Sequence, residues 1–146
     1  MIIADDLGTV AYIEVAEGNY PNTDRLMPTS HTSTLKATVA ELIEAAETAE
    51  IVLKTSDKRN NYMLLDLEAG VSLLAAEGRN THIKIELDAY TGDEISIAFN
   101  PTYFKEALKT FDKYDTVELG FTSGIRPFTV ASPGNIQLIT PIRTGR

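Results

Sequence analysis

The chain of 146 residues contains no cysteine. This excludes disulfides, thiolate metal sites and cysteine nucleophiles, and it fits a reducing, cytoplasmic setting. Histidine is nearly as scarce. His31 sits in the Thr/Ser-rich stretch Thr29-Ser30-His31-Thr32-Ser33, and His82 opens an alternating segment on its polar side. Neither has a companion at metal-ligand spacing such as His-Glu-x-x-His, so both read as solvated side chains. The glycines of Gly78-Arg79 and Ser123-Gly124 stand in turns without a phosphate-cradling pattern. No metal, cofactor or catalytic residue is expected. No run approaches the roughly 18 apolar residues of a membrane span, so no membrane partner is expected either. The opening Met1-Ile2-Ile3-Ala4-Asp5-Asp6 lacks a basic region and does not read as a signal peptide.

Positive charge is also in short supply: 13 Lys and Arg face 21 Asp and Glu, for a net charge of −8. That balance argues against non-specific nucleic-acid binding over the whole surface but leaves room for one basic face. The hydrophobic share, 43%, is ordinary for a globular protein, and the length suits one domain with a sizeable core.

Two helices stand out. Thr38-Val39-Ala40-Glu41 is a capping box, and Leu42, Ala46, Ala49 and Leu53 follow at helical spacing. The second helix opens at Asn100-Pro101, an N-cap residue followed by proline at the first helical position. Phe104, Ala107, Leu108 and Phe111 form its apolar stripe, with Lys105 and Lys109 on the opposite side. Strands are expected at Thr34–Val39, Tyr62–Leu67, Val71–Ala76, Ile83–Leu87, Ile95–Phe99, Val117–Phe121, Pro127–Ala131 and Ile136–Ile142, where apolar residues alternate with polar ones. Turn signals fall at Ala69-Gly70, Gly78-Arg79-Asn80, Thr91-Gly92-Asp93 and Ser132-Pro133-Gly134-Asn135.

The order is strand, helix, three strands, given twice, with residues 34–90 as one half and 94–143 as the other. This internal β-α-β-β-β repeat implies an α+β fold. Two halves related by a pseudo-twofold place both helices on one face of antiparallel sheets. Residues 1–28 stand outside the repeat. Thr9–Ala16 reads as a strand with apolar residues on both faces, a candidate for self-association, and residues 17–24 have linker chemistry. The helix bearing Glu41, Glu44, Glu47 and Glu50 reads as a solvated acidic face. A hydrolase reading of those carboxylates would need a pair of raised pKa in a cleft.

Three motifs carry a resemblance. Ile97-Ala98-Phe99-Asn100-Pro101-Thr102-Tyr103-Phe104 resembles the strand-to-helix segment of the bacterial DNA sliding clamp, the DNA polymerase III beta subunit, where Phe-Asn-x-x-Tyr-Leu is usual. Leu138-Ile139-Thr140-Pro141-Ile142-Arg143 is similar to that family's closing strand, with Thr140 where Met is usual. Gly18-Asn19-Tyr20-Pro21-Asn22-Thr23-Asp24-Arg25-Leu26-Met27-Pro28 resembles the linker entering its third domain. The resemblance implies a DNA-clamp-like fold. Residues 1–28 would be the remnant strand and linker of a preceding clamp domain, and residues 29–146 a C-terminal-type domain.

It further implies a non-enzymatic replication processivity factor that encircles duplex DNA and offers a hydrophobic groove to short peptide motifs of DNA polymerase and other clamp-binding proteins. The matching groove positions are Pro21, Arg25, Leu26, Asn100, Tyr103, Ile125, Pro127, Leu138, Thr140, Pro141, Ile142 and Arg143. Lys105, Lys109 and Lys113 on the second helix are the DNA-facing candidates. Because phosphate neutralisation supplies most DNA affinity, the acidic first helix implies weak binding by the isolated chain. A stand-alone peptide-binding adaptor that never encircles DNA is the alternative.

Overall fold

The computed structural model describes residues 2–14, 18, 22–54, 62–68, 71–77, 82–87 and 90–144; at Ala4, Asp24, 71–77 and 82–87 it describes the backbone alone. Strands β1 (Ile2–Ala4) and β2 (Val10–Tyr12) form a separate antiparallel pair. A 3-10 turn follows at Thr23–Arg25. The first half of the repeat is β3 (Ser33–Thr38), α1 (Val39–Leu53), β4 (Met63–Glu68), β5 (Val71–Glu77) and β6 (His82–Leu87), followed by β7 (Tyr90–Gly92). The second is β8 (Ile95–Phe99), α2 (Pro101–Leu108), β9 (Thr116–Phe121), β10 (Phe128–Ser132) and β11 (Asn135–Ile139).

The sheets show how the halves join. One has the order β11-β10-β9-β3-β7 and the other β6-β5-β4-β8, so each half lends its first strand to the other half's sheet. The registers obey the pseudo-twofold. Leu35 on β3 faces Leu119 on β9, as Ile97 on β8 faces Leu65 on β4. All four side chains are buried, at 1% exposure or less. Exchanging first strands makes neither sheet complete without the other half, which is why the repeat folds as one unit.

Both helices start where their caps dictate. Glu41 N–H donates to Thr38 Oγ1 at 3.3 Å, and Thr38 N–H donates to Glu41 Oε2 at 3.0 Å, closing the capping box. Asn100 Oδ1 accepts from the backbone of Thr102 at 2.8 Å and of Tyr103 at 3.4 Å, with Pro101 beginning the helix. The apolar stripe of α1, including Leu42, Ala46, Ala49 and Leu53, is buried. Beneath α2, Phe104 lies 5.0 Å from Phe99, centroid to centroid, and Phe128 lies 5.1 Å from both Phe99 and Phe121. This cluster joins α2 to both sheets and so fixes which face of α2 is left outward.

Three expectations need correction. The stretch read as a strand over Thr9–Ala16 is extended only at Val10–Tyr12. It pairs with Ile2–Ala4, which the sequence reading left unassigned; Val15 and Ala16 lie outside the described residues. Asp5 turns the chain between the two strands, its Oδ1 accepting from Leu7 and Thr9 N–H groups. Thr91-Gly92 is not a turn but part of β7, paired with β3. Gly92 has φ +123°, and a Cβ there would collide with the Thr32 carbonyl, so the glycine serves a close strand approach. The last strand ends at Ile139 rather than Ile142. Past Pro141, Ile142 N–H donates to Ala98 O at 2.7 Å, so the tail leaves one sheet and reaches β8 of the other. The expected turns at Ala69-Gly70 and Gly78-Arg79-Asn80 lie outside the described residues.

Candidate peptide-binding groove

Helix α2 and strand β11 run side by side, and a cleft of about 420 Å³ opens between them. The helix contributes Tyr103, Glu106 and Ala107, its N-cap Asn100 and the turn after it Thr110; the strand and its continuation contribute Gln137, Leu138, Ile139 and Thr140. On α2 these residues follow helical spacing, whereas Phe104, Leu108 and Phe111 turn into the core. Strand β11 is an edge strand, so nothing within its own sheet covers that side.

Four of the groove candidates line this cleft together: Asn100, Tyr103, Leu138 and Thr140. Tyr103 is 70% exposed and stands at its rim. Asn100 is less free than its residue type suggests, because Oδ1 is occupied by the helix cap and its amide nitrogen is left for a ligand. The remaining candidates lie outside the cleft lining. Ile125 is 72% exposed on the loop between β9 and β10, which Gly124 seats against the Ser96 carbonyl. Pro127 and Pro141 are half-buried, Ile142 is bound through its backbone to β8, and Arg143 is exposed. Arg25 ends the 3-10 turn, and Leu26, exposed, donates its N–H to Thr23 O at 3.0 Å. Pro21 lies outside the described residues.

The sequence reading missed Glu106, Thr110, Gln137 and Ile139; Ala107, read as part of the apolar stripe, is half-buried, packing against the core and lining the cleft as well. Glu106 and Ala107, three and four positions beyond Tyr103, share its helix face, a spacing legible in the sequence.

The DNA-facing candidates fare unequally. Lys105 Nζ bonds Glu50 Oε2 at 2.5 Å, with side-chain exposures of only 16% and 18%. Thr102 Oγ1 donates to the other Glu50 oxygen at 3.0 Å. The Lys105 hydrogen bond, aided by Thr102 and by the charges of Lys105 and Lys54, holds the Glu50 carboxyl below its ordinary pKa against the opposing effect of burial. Glu50 in turn raises the Lys105 pKa. Because α2 ends at Leu108, Lys109 is its C-cap and Lys113 lies in the loop beyond rather than on the helix; Lys109 pairs with Glu106 at 2.6 Å in solvent, and Lys113 is exposed. Glu41, Glu44 and Glu47 are exposed on α1.

His31 is exposed, yet its ring lies over Gly120, with Nε2 3.4 Å from Thr129 Oγ1. The side chain of His82 lies outside the described residues. Among the described residues no three of His, Asp and Glu converge as metal ligands, and no helix is long and apolar enough to cross a membrane. Asp5, Glu41 and Glu50 all have lowered pKa values, opposite to what a hydrolase reading of the carboxylates requires.

Known proteins share this fold. The chain is 35% identical over 140 residues to the beta sliding clamp of Streptococcus pneumoniae serotype 4, a match covering 91% of this chain and 36% of that protein. The Staphylococcus aureus beta sliding clamp is 32% identical over 145 residues, covering 94% and 38%. The crystal structure of the S. pneumoniae DNA polymerase III beta chain superposes with a TM-score of 0.85 at 31% identity, covering 98% of this chain and 39% of that one. The sliding clamp from Bacillus subtilis superposes at 0.76, with 28% identity and coverage of 88% and 35%. The chain thus spans little more than a third of the length of these relatives. A sequence profile described as the DNA polymerase III beta subunit, C-terminal domain, matches residues 24–143, and the chain belongs to that family.

Proposed function

We propose that this chain acts as the C-terminal domain of a DNA sliding clamp. It holds a polymerase or another clamp-binding protein by a short peptide while the assembled ring encircles duplex DNA. The role is binding rather than catalysis, exercised in the cytoplasm where replication takes place. One observation carries the reading: the cleft between α2 and β11 gathers Asn100, Tyr103, Leu138 and Thr140, which come from two widely separated stretches of sequence. Leu138 and Ile139 give the cleft its apolar side, Tyr103 its rim, and the Asn100 amide a donor for a peptide carbonyl. Leu26, Ile125, Pro127 and Ile142 extend the apolar surface, with Arg25 and Arg143 at the mouth, in the reading that the family resemblance supports.

Residues 1–28 fit the end of a preceding clamp domain and its linker, and residues 29–146 the C-terminal domain proper. DNA contact would fall to Lys109 and Lys113, because Lys105 is engaged by Glu50.

The test is titration with a peptide of the pattern Gln-x-aliphatic-x-aliphatic-Phe, followed by chemical-shift mapping. Saturable shifts should centre on Tyr103 and residues 138–142, and Tyr103→Ala should weaken binding while the domain stays folded. Absence of saturable shifts at millimolar peptide, or shifts confined to α1, would refute the groove.

A further inference from the structure

Beyond Tyr103 the cleft continues along α2 to Glu106 and Thr110 and along β11 to Gln137. Thr110 lies in the turn just past the end of α2, about 10 Å from Tyr103 if the helical rise is carried on through it. This end is polar, and its hydrogen bonds run in one direction. Thr110 Oγ1 donates to Ala107 O at 2.8 Å, and Asn135 Nδ2 donates to both Thr110 O and Thr110 Oγ1 at 3.0 Å. Gln137 Nε2 donates to Asn135 Oδ1 at 2.9 Å. The protons of Thr110 and Asn135 are therefore spent within the network. Left for a ligand are Gln137 Oε1, one Gln137 amide proton, and the Glu106 oxygen that Lys109 does not take.

The charge lining this end is thus negative, and acceptors outnumber donors. Lys109 offsets little of it. The Lys109–Glu106 pair is 56% and 59% exposed, a setting where ion pairs are weak, and its ammonium does not line the cleft. The net charge of −8 adds a general attraction for cations.

We infer that this end of the cleft takes an Arg or Lys side chain of the docked peptide, placed about three extended residues, some 10 Å, from the apolar anchor at Tyr103. The inference rests on the groove reading above and names the charge its ligand carries. A guanidinium there donates to Glu106 and to Gln137 Oε1 together, which a neutral side chain of similar length does only in part.

The experiment uses the full chain and three synthetic peptides of the same apolar pattern. One has neutral flanks, one carries Arg three residues before the anchor, and one carries it three residues after. One Arg peptide should bind about two- to fivefold more tightly than the neutral one at low salt. The advantage should vanish in Glu106→Gln and grow in Lys109→Ala, where the competing cation is gone. Both are exposed surface substitutions. If the neutral peptide binds and neither Arg peptide binds better, or if Glu106→Gln keeps the difference, the inference fails while the groove stands. If no peptide binds, both fall.

Discussion

Glu50 of α1 and Lys105 of α2 meet at 2.5 Å in a pocket that leaves each side chain less than one-fifth exposed. Thr102 completes the contact by donating its hydroxyl to the second Glu50 oxygen. The three groups tie the two helices together across the pseudo-twofold. They also remove a lysine from the surface that the family resemblance assigns to DNA. A residue nominated for phosphate contact instead holds the helices in place.

Acid stability should report this pair. The Glu50 pKa is lowered chiefly by the Lys105 hydrogen bond, and the Glu41 pKa chiefly by the Thr38 hydroxyl. A carboxyl with a lowered folded pKa contributes stability above its unfolded pKa and loses it as pH falls through the folded value. The melting temperature should therefore drop below about pH 5. Glu50→Gln should melt lower than the wild type at neutral pH, with the gap shrinking in acid. A constant gap across the acid range would show that the ionised pair is not the cause.

Weak DNA binding by the isolated chain follows from the same geometry. With Lys105 engaged and Lys109 paired, Lys113 is the exposed candidate without a carboxylate partner among the described residues, while α1 exposes Glu44 and Glu47. Fluorescence anisotropy with a short duplex should give a dissociation constant no tighter than about 10⁻⁶ M at physiological salt. Replacing Glu44 and Glu47 by Gln should tighten it. Nanomolar affinity of the unaltered chain would contradict the assignment of α1 as a repelling face.

Much of this fold was legible because local and long-range signals agree. Thr38–Glu41 and Asn100–Pro101 are caps whose partners lie within three residues, so the sequence alone locates both helix starts. The doubled strand pattern revealed the repeat. What it could not reveal is that β3 and β8 exchange sheets, since alternation says which face is buried but not which strand lies alongside. β7 escaped notice because three residues ending in glycine look like a turn until Thr32 and Ser33 are seen beside them. The Glu50–Lys105 contact spans 55 positions and has no local signature. The groove was legible only in part: four of the twelve residues carried by the resemblance met, while Glu106, Thr110 and Gln137 belong to the cleft only because α2 and β11 lie side by side.

The β1–β2 pair yields a separable prediction. Ile2, Ile3, Val10, Tyr12 and Ile13 are 43% to 80% exposed, and a lone two-stranded hairpin is marginally stable in water. Its open edges and apolar faces favour association with another copy. Deleting residues 1–17 should leave a cooperatively folding domain that self-associates less in sedimentation velocity. Unfolding of the truncated chain would move the domain boundary ahead of residue 17.

Thr140 provides the last test, because it lines the cleft where the family resemblance has methionine. Threonine offers a single methyl group, and its hydroxyl gains nothing from an apolar ligand. Thr140→Met lengthens the apolar wall by about two methylene-sized groups, each contributing about 0.8 kcal/mol if fully covered by the peptide. Ordering the flexible methionine offsets about 0.5–1.5 kcal/mol of that. The net gain should be a fraction of a kcal/mol to about 1 kcal/mol, or up to about fivefold in affinity for the Gln-x-aliphatic-x-aliphatic-Phe peptide. Thr140 is exposed at the end of β11, so thermal stability should barely change. Unchanged affinity in Thr140→Met, for a peptide that binds saturably, would mean that the ligand passes Thr140 without touching it. The groove would then have to be redrawn around Tyr103 and Leu138 alone.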